Sequence, residues 1–275
     1  MTRSSSDEHD HEGLPSPGPI LVSEPADPRL DPLRDLRALE RGGARFFAES
    51  ELVVSRLLEG GWEVEAVLAT PPRAARLARL APPGCPVYAA PLACLREVVG
   101  YDLHRGCAAV APRPALTALP ALAGRARVRV AVAAGLADPS NVGALLRNAR
   151  AFGVDLVLLD AAGADPLDPR ALRAAMGNTF VLPVAVRRDL PAALAELRAA
   201  LPELAVWAAT LGDEARPLPE VSPPPRLALL LGNEGAGLPA PLRAAADLEV
   251  TIPVAPGCDS LNVAAASAVL LYALS

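Results

Sequence analysis

The chain has 275 residues, 52% hydrophobic and 21% charged, with a formal net charge of −5, a length that allows one large or two modest domains. No apolar run reaches the roughly 18 residues of a membrane span and no signal-peptide pattern opens the chain, so a membrane or exported protein is not expected. The four cysteines (Cys85, Cys94, Cys107, Cys258) lack C-x-x-C spacing, which argues against zinc or a disulfide framework and for a reduced, cytoplasmic setting without a metal.

Residues 1–30 hold two arginines and six acids and are rich in Ser, Pro and Gly, so a disordered acidic tail is expected. His9 and His11 lie among those acids and read as solvated side chains rather than metal ligands. From Asp31 the pattern becomes regular. Leu33, Leu36 and Leu39 suit a helix, as does the run 52–58. Residues 64–68 and 86–88 read as short strands, and 91–99 as another helix. This small α/β unit covers 31–113, and residues 114–126, rich in Ala, Leu and Pro, read as a linker. Segment 31–126 carries twelve arginines against ten acids and is alone in being net basic. The chain has no lysine, so every fixed cation is a guanidinium able to grip phosphate in bidentate fashion and stack on bases. A GC-rich coding bias is the larger cause of the missing lysine, and an excess of two charges permits RNA binding without announcing it.

From Arg127 strands and helices alternate. Residues 128–133 form an apolar strand, 142–152 a helix closed by Gly153, and 154–159 a strand apolar enough to be buried on both faces. A helix over 169–176, an extended stretch over 180–186 and a helix over 190–200 follow. Then come strands at 204–209 and 227–231, a helix at 239–245, a strand at 248–252 and a last helix at 262–274. Such alternation predicts a parallel sheet with helices on both faces, and ligands of such sheets bind at the carboxyl ends of the strands.

Three polar stretches lie at those ends. The first is N-V-G-A-L-L-R-N over 141–148, the second L-G-N-E-G-A-G-L over 231–238. The third is Ile252-Pro253 followed by Ser260-Leu261-Asn262-Val263. The glycines Gly232, Gly235 and Gly237 give G-x-x-G-x-G rather than the dinucleotide fingerprint, and they lie far from the first strand of the unit. Without lysine there is no P-loop. What they offer is close backbone approach, suited to a flat ligand held by main-chain groups. A lone glycine cluster would be an ordinary tight loop, Arg147 an ordinary solvated helix arginine, and Ser260 and Asn262 a helix N-cap.

In this order the three stretches resemble the motifs of the SpoU (TrmH-like) class of the SPOUT superfamily, the RNA ribose 2′-O-methyltransferases. The resemblance is close over 127–275 and loose over 31–113. It implies an α/β protein whose C-terminal domain, 127–275, is a trefoil-knotted parallel-sheet SPOUT domain. Before it comes a small α/β (ribosomal-protein-L30e-like) substrate-binding domain over 31–113. The cofactor implied is S-adenosyl-L-methionine, bound between loops that carry over to Thr210, Leu211, Gly212, Leu231, Gly232, Asn233, Gly235, Ile252 and Leu261. Asn141, Arg147, Glu234, Ser260 and Asn262 become the polar active-site set.

Those residue types suit the reaction. The cofactor arrives activated, so the protein must chiefly position the ribose hydroxyl and handle its proton. The family pattern assigns Arg147 to that hydroxyl. Since arginine is essentially never deprotonated, its role is to grip the adjacent phosphate and stabilise the developing alkoxide. In the first unit the resemblance rests on R-F-F-A-E-S over 45–50 and Y-D-L-H-R-G-C-A over 101–108. It implies RNA contacts from Arg45, His104 and Arg105. Ser50 stands where the family often has glycine, Arg105 where it often has glutamine, and Ala175 where it commonly has serine, an exchange expected to alter a substrate contact. The expected partners are ribosomal RNA and a second copy of the chain, with Arg147 completing the partner's site. Transfer RNA as substrate, or a knotted RNA-binding protein without catalysis, are the other readings.

Overall fold

The computed structural model describes residues 18–275 except Gly42, Asp213, Glu234, Pro256, Cys258 and Asp259, and except the side chains of Glu40 and Arg41. His9 and His11 therefore lie outside the described residues. The first half runs β1 (Ile20–Leu21), β2 (Arg45–Glu49), α1 (Glu51–Glu59), β3 (Ala66–Ala69), α2 (Pro71–Leu77), β4 (Val87–Ala89), α3 (Leu92–Val99) and β5 (Cys107–Pro112). Its strands form one sheet in the order β1-β4-β3-β5-β2, with β5 antiparallel to both β2 and β3.

Two expectations for this half need correction. The disorder expected through residue 30 does not hold for the described part of that stretch. Ile20 and Leu21 pair with Tyr88 and Ala89 of β4, Val22 and Leu30 are buried, and a 3₁₀ turn starts at Pro28. The apolar residues of this stretch cover one edge and one face of the sheet, which outweighs its polar composition. The helix expected around Leu33, Leu36 and Leu39 is two 3₁₀ turns, Pro28–Leu33 and Leu36–Arg41. Arg34 is extended and Asp35 has φ +47°, so the chain cannot continue a helix through them. Ser50 has φ +78°, a conformation natural to the glycine expected there.

The second half runs β6 (Val128–Ala133), α4 (Pro139–Ala151), β7 (Leu156–Asp160), α5 (Pro169–Ala174), β8 (Val184–Arg187), α6 (Leu190–Ala200), β9 (Ala205–Ala209), β10 (Arg216–Pro217), β11 (Arg226–Leu231), α7 (Ala240–Ala244), β12 (Leu248–Thr251) and α8 (Val263–Leu274). All seven strands are parallel, in the order β10-β12-β9-β11-β6-β7-β8. The stretch expected to be extended over 180–186 instead begins as a 3₁₀ turn, Asn178–Phe180, and becomes strand at Val184. Both faces of this sheet are covered. On β11, Leu227, Leu229 and Leu231 join the core beneath α4 and α8, while Ala228 and Leu230 join the core beneath α6. A strand buried on both sides must be apolar at every position, and this one is from Leu227 onward.

Residues 113–127 hold no helix or strand, yet they are docked. The amide of Val186 donates to the Leu116 carbonyl, Arg187 to that of Thr117, and Leu122 is buried against the α6 face. The segment thus covers the open edge of β8, where unpaired amides would otherwise face solvent.

The two sheets are held together by very close contacts. Phe180 joins the core of the first half, stacking at 6.0 Å on Phe46 and meeting Trp62 edge-on at 5.1 Å. The Trp62 indole donates to the Phe180 carbonyl at 3.1 Å, and Arg56 donates to the Met176 carbonyl at 2.7 Å. A side chain at Gly60 would lie 2.5 Å from the Phe180 carbonyl oxygen, so only glycine fits.

A buried arginine fastens the C-terminus. Arg129 of β6 donates through Nε to the Leu274 carbonyl at 2.7 Å, and through Nη1 to the carbonyls of Pro224 and Pro225. Burial lowers its pKa from the ordinary arginine value, but the group remains a cation at the negative end of α8. Arg129→Ala leaves the Leu274 and Pro224 carbonyls without this donor, while Pro225 keeps the Val128 amide, and is expected to cost about 2–4 kcal/mol in urea unfolding. Hydrogen exchange should quicken first in α8; unchanged stability and exchange would contradict this anchoring.

Candidate active site

Because β9, β11 and β12 are parallel neighbours, the loops that leave their carboxyl ends share one edge of the sheet. They enclose a cavity of about 400 Å³. Thr210, Leu211 and Gly212 wall it after β9. Leu231, Gly232, Asn233 and Gly235 do so at the end of β11, and Ile252, Ser260 and Leu261 after β12. All nine residues expected to hold the cofactor therefore line one space.

The loop after β11 is a closed ring. Asn233 and Gly237 exchange backbone hydrogen bonds of 3.1 and 2.9 Å, and the Asn233 carboxamide oxygen accepts from the amides of Gly235 and Ala236. The same side chain donates to the Gly135 carbonyl at 2.9 Å, tying this loop to the one after β6. Asn233 thus builds the wall with its side chain already engaged. A side chain at Gly232 would lie 2.4 Å from the carbonyl carbon of Gly237. Glycine at 232 serves the closure of the loop itself, and Gly237 takes φ +68° to complete the turn. Glu234 lies outside the described residues.

The first motif occupies α4. Asp138 caps that helix by accepting from the Ser140 amide, and Asn141 sits half-buried in its first turn. Gly143 lets α4 approach α5 closely, since a side chain there would lie 2.3 Å from the Ala171 carbonyl oxygen. Ala175, at the position where serine was expected, is fully buried at this crossing. It is packing, and a substrate contact through its side chain is excluded by that burial.

Arg147 is exposed, and among the described residues its guanidinium makes no ion pair or hydrogen bond. The next residue, Asn148, donates to the Ala264 carbonyl and the Ser267 hydroxyl, both at 2.9 Å, so the first motif touches the helix that follows the third. Asn262 caps α8, its side-chain oxygen accepting from the Ala265 amide at 2.9 Å. Of the expected polar set, Ser260 lines the cavity, while Asn141, Arg147 and Asn262 stand around it without forming its wall.

Sequence reasoning missed two residues. Arg243 of α7 lines the cavity and is clamped by Glu249 of β12 through Nε at 2.5 Å and Nη2 at 2.9 Å. The Thr210 hydroxyl also donates to Glu249. The Arg243 guanidinium beside it, with help from Thr210, holds the Glu249 carboxyl below the usual carboxylate range. One signal was present in the sequence, an acid inside the apolar strand 248–252.

The expected RNA contacts are not brought together. Arg45 opposes Pro112 at one end of the β2–β5 pair, where it contacts Glu65 at 3.3 Å. His104 and Arg105 precede the other end, roughly 13 Å away at a strand's rise per residue. There both are exposed, with His104 3.3 Å from Asp102. Arg73 and Arg76 of α2 share this end, paired with Glu51. So does Glu49, which bridges Tyr101 and Arg173 of α5.

Comparison with known proteins gives a consistent set of matches. Residues 129–272 match the model of the SpoU rRNA Methylase family. An uncharacterized tRNA/rRNA methyltransferase of Mycobacterium tuberculosis is 38% identical over 261 residues, covering 91% of this chain and 90% of that protein. The 23S rRNA (guanosine(2553)-2′-O)-methyltransferase RlmP of Bacillus subtilis is 41% identical over 137 residues, 50% of this chain and 54% of RlmP. Among solved structures, an RNA 2′-O ribose methyltransferase superposes with a TM-score of 0.72 at 29% identity, covering 93% of this chain and 98% of that one.

The two loop glycines separate cleanly. Gly232→Ala must push the 233–237 ring open and should cost about 2 kcal/mol or more in thermal unfolding. Gly235→Ala, whose added carbon meets nothing nearer than 3.5 Å, should be close to neutral. Equal effects would mean the ring does not close as described.

Proposed function

The chain belongs to the SpoU rRNA Methylase family, and we propose that it is an S-adenosyl-L-methionine-dependent RNA ribose 2′-O-methyltransferase acting on ribosomal RNA in the cytoplasm. The observation that carries this reading is the single cavity built by the loops after β9, β11 and β12, joined to the β6–α4 loop through Asn233 and to α4 through Asn148. Its volume falls in the range of small-molecule sites. Leu231, Ile252 and Leu261 offer an apolar face to a flat base, and Ser260, Thr210 and Arg243 offer polar groups to the rest of the ligand.

When bound, S-adenosylmethionine supplies a methyl group on a sulfonium whose thioether can leave. The rest falls to this chain. Arg147 grips the phosphate beside the target ribose and stabilises the oxygen as it loses its proton. Asn141 and Ser260 hold the nucleotide, Asn262 fixes the loop by capping α8, and Glu234 takes the proton or orients Arg147. The strand order supports a trefoil threading, since the chain passes from β11 out to β12 and then returns across the face to α4 as α8. The first sheet, with Arg73, Arg76, His104 and Arg105 at one end, serves as the RNA-binding domain of ribosomal-protein type.

The active form is a homodimer. The outward face of α8 presents Val269 at 41% and Tyr272 at 71% exposure, and Arg147 lies outside the wall of its own chain's cavity. Both features suit a partner packed on α4 and α8, with Arg147 reaching into its site.

Arg147→Ala should leave S-adenosylmethionine affinity nearly unchanged in calorimetry, because the cavity wall is untouched. Methyl transfer to ribosomal RNA should fall ~10²–10³-fold, the usual effect of removing a preorganised charge from a reacting oxygen. Arg147→Lys should recover little, since a point charge does not reproduce the planar fork. Full activity in Arg147→Ala would remove this residue from the reaction.

A further inference from the structure

The cavity wall is unequal in chemistry. Among its described residues, Arg243 alone carries a fixed charge; Leu231, Ile252 and Leu261 are apolar. A ligand such as S-adenosylmethionine is equally unequal, with a flat base at one end and an amino-acid zwitterion at the other. A carboxylate that leaves water without a cationic or hydrogen-bonding partner binds poorly.

Arg243 is built to be that partner. Glu249 holds its Nε and Nη2, and the Thr210 hydroxyl holds Glu249 in turn, so the guanidinium plane is fixed before any ligand arrives. Its Nη1 makes no hydrogen bond among the described residues. Gly212 keeps the approach clear, since a side chain there would stand 3.3 Å from Arg243 Nη2 and 3.5 Å from Glu249 Oε2. Arginine in a fixed plane suits a carboxylate, and the neighbouring Glu249 suits the ammonium beside it.

We propose that Arg243, fixed by Glu249 and Thr210, recognises the α-carboxylate of the methionine end of S-adenosylmethionine. The inference rests on the cofactor reading above and adds a positioning residue to it. The test is calorimetry on the full chain with two ligands: S-adenosylmethionine, and its decarboxylated form, which keeps the base, ribose, sulfonium and amine. The wild-type protein should prefer S-adenosylmethionine by about tenfold or more, the usual size of a hydrogen bond to a charged group. Arg243→Gln and Arg243→Ala should weaken S-adenosylmethionine by about that factor and leave the decarboxylated form unchanged, bringing the ratio near one. A retained preference in both variants would overturn the assignment. Equal weakening of both ligands would also overturn it, by showing that Arg243 only shapes the loops. Wild-type protein that bound neither ligand would instead overturn the cofactor reading, and this inference with it.

Discussion

Helix α8 has to come back from β12, one strand in from the edge, to pack beside α4, and polar anchors at its two ends hold it there. At the near end Asn148 bonds the Ala264 carbonyl and the Ser267 hydroxyl. At the far end Arg129 bonds the Leu274 carbonyl. Between them, Val263, Leu270, Leu271 and Leu274 bury into the sheet. Ile252, Val254, Ser260 and Leu261, which lie between β12 and α8, form one wall of the cavity. Without the return of α8, Ile252 and Leu261 would have no reason to face Leu231. The apolar contacts supply most of the favourable free energy, and the anchors set the position.

The same economy of backbone contact joins the two halves. Gly60 meets the Phe180 carbonyl, Gly177 meets the backbone of Val53, and Arg56 bonds the Met176 carbonyl. Residues 176–180 follow α5 directly, and α5 packs on α4 through Gly143. The first sheet is thus two tight contacts away from the helix that carries Arg147. An RNA gripped at the first sheet would be presented to α4 by a stiff path, which supports a platform that orients substrate rather than a tethered module.

Much of the architecture was legible because it follows from local pattern. Strands such as Leu156–Asp160 and Arg226–Leu231 are nearly unbroken apolar runs, and the last helix carries the cap read for it, Asn262, whereas the helix expected from 142 starts three residues earlier behind Asp138. The site was legible through motif order, since parallel strands deliver their loops to one edge. What depends on tertiary register was not. Arg243 and Glu249 are six residues apart across a helix, a turn and a strand, and their clamp exists only once β12 pairs with β9. Arg129 is a charge inside an apolar strand, explained only by the carbonyls of Pro224, Pro225 and Leu274 that converge on it. Composition also misled at residues 18–30, where Ile20 and Leu21 pair with β4 through their backbone and Val22 and Leu30 bury their side chains.

The most direct measurement is the position of the transferred methyl group. The 275-residue protein and S-adenosylmethionine labelled in its methyl group would be incubated with unmodified ribosomal RNA and, separately, with unmodified transfer RNA, and each RNA hydrolysed in alkali. A methyl on the 2′-oxygen blocks cleavage of the adjacent phosphodiester, so the label should appear in one alkali-resistant dinucleotide. Label in ordinary mononucleotides would mean methylation of a base, and label in transfer RNA but never in ribosomal RNA would move the substrate. No transfer to any RNA from a folded, cofactor-binding protein would contradict the account at its centre.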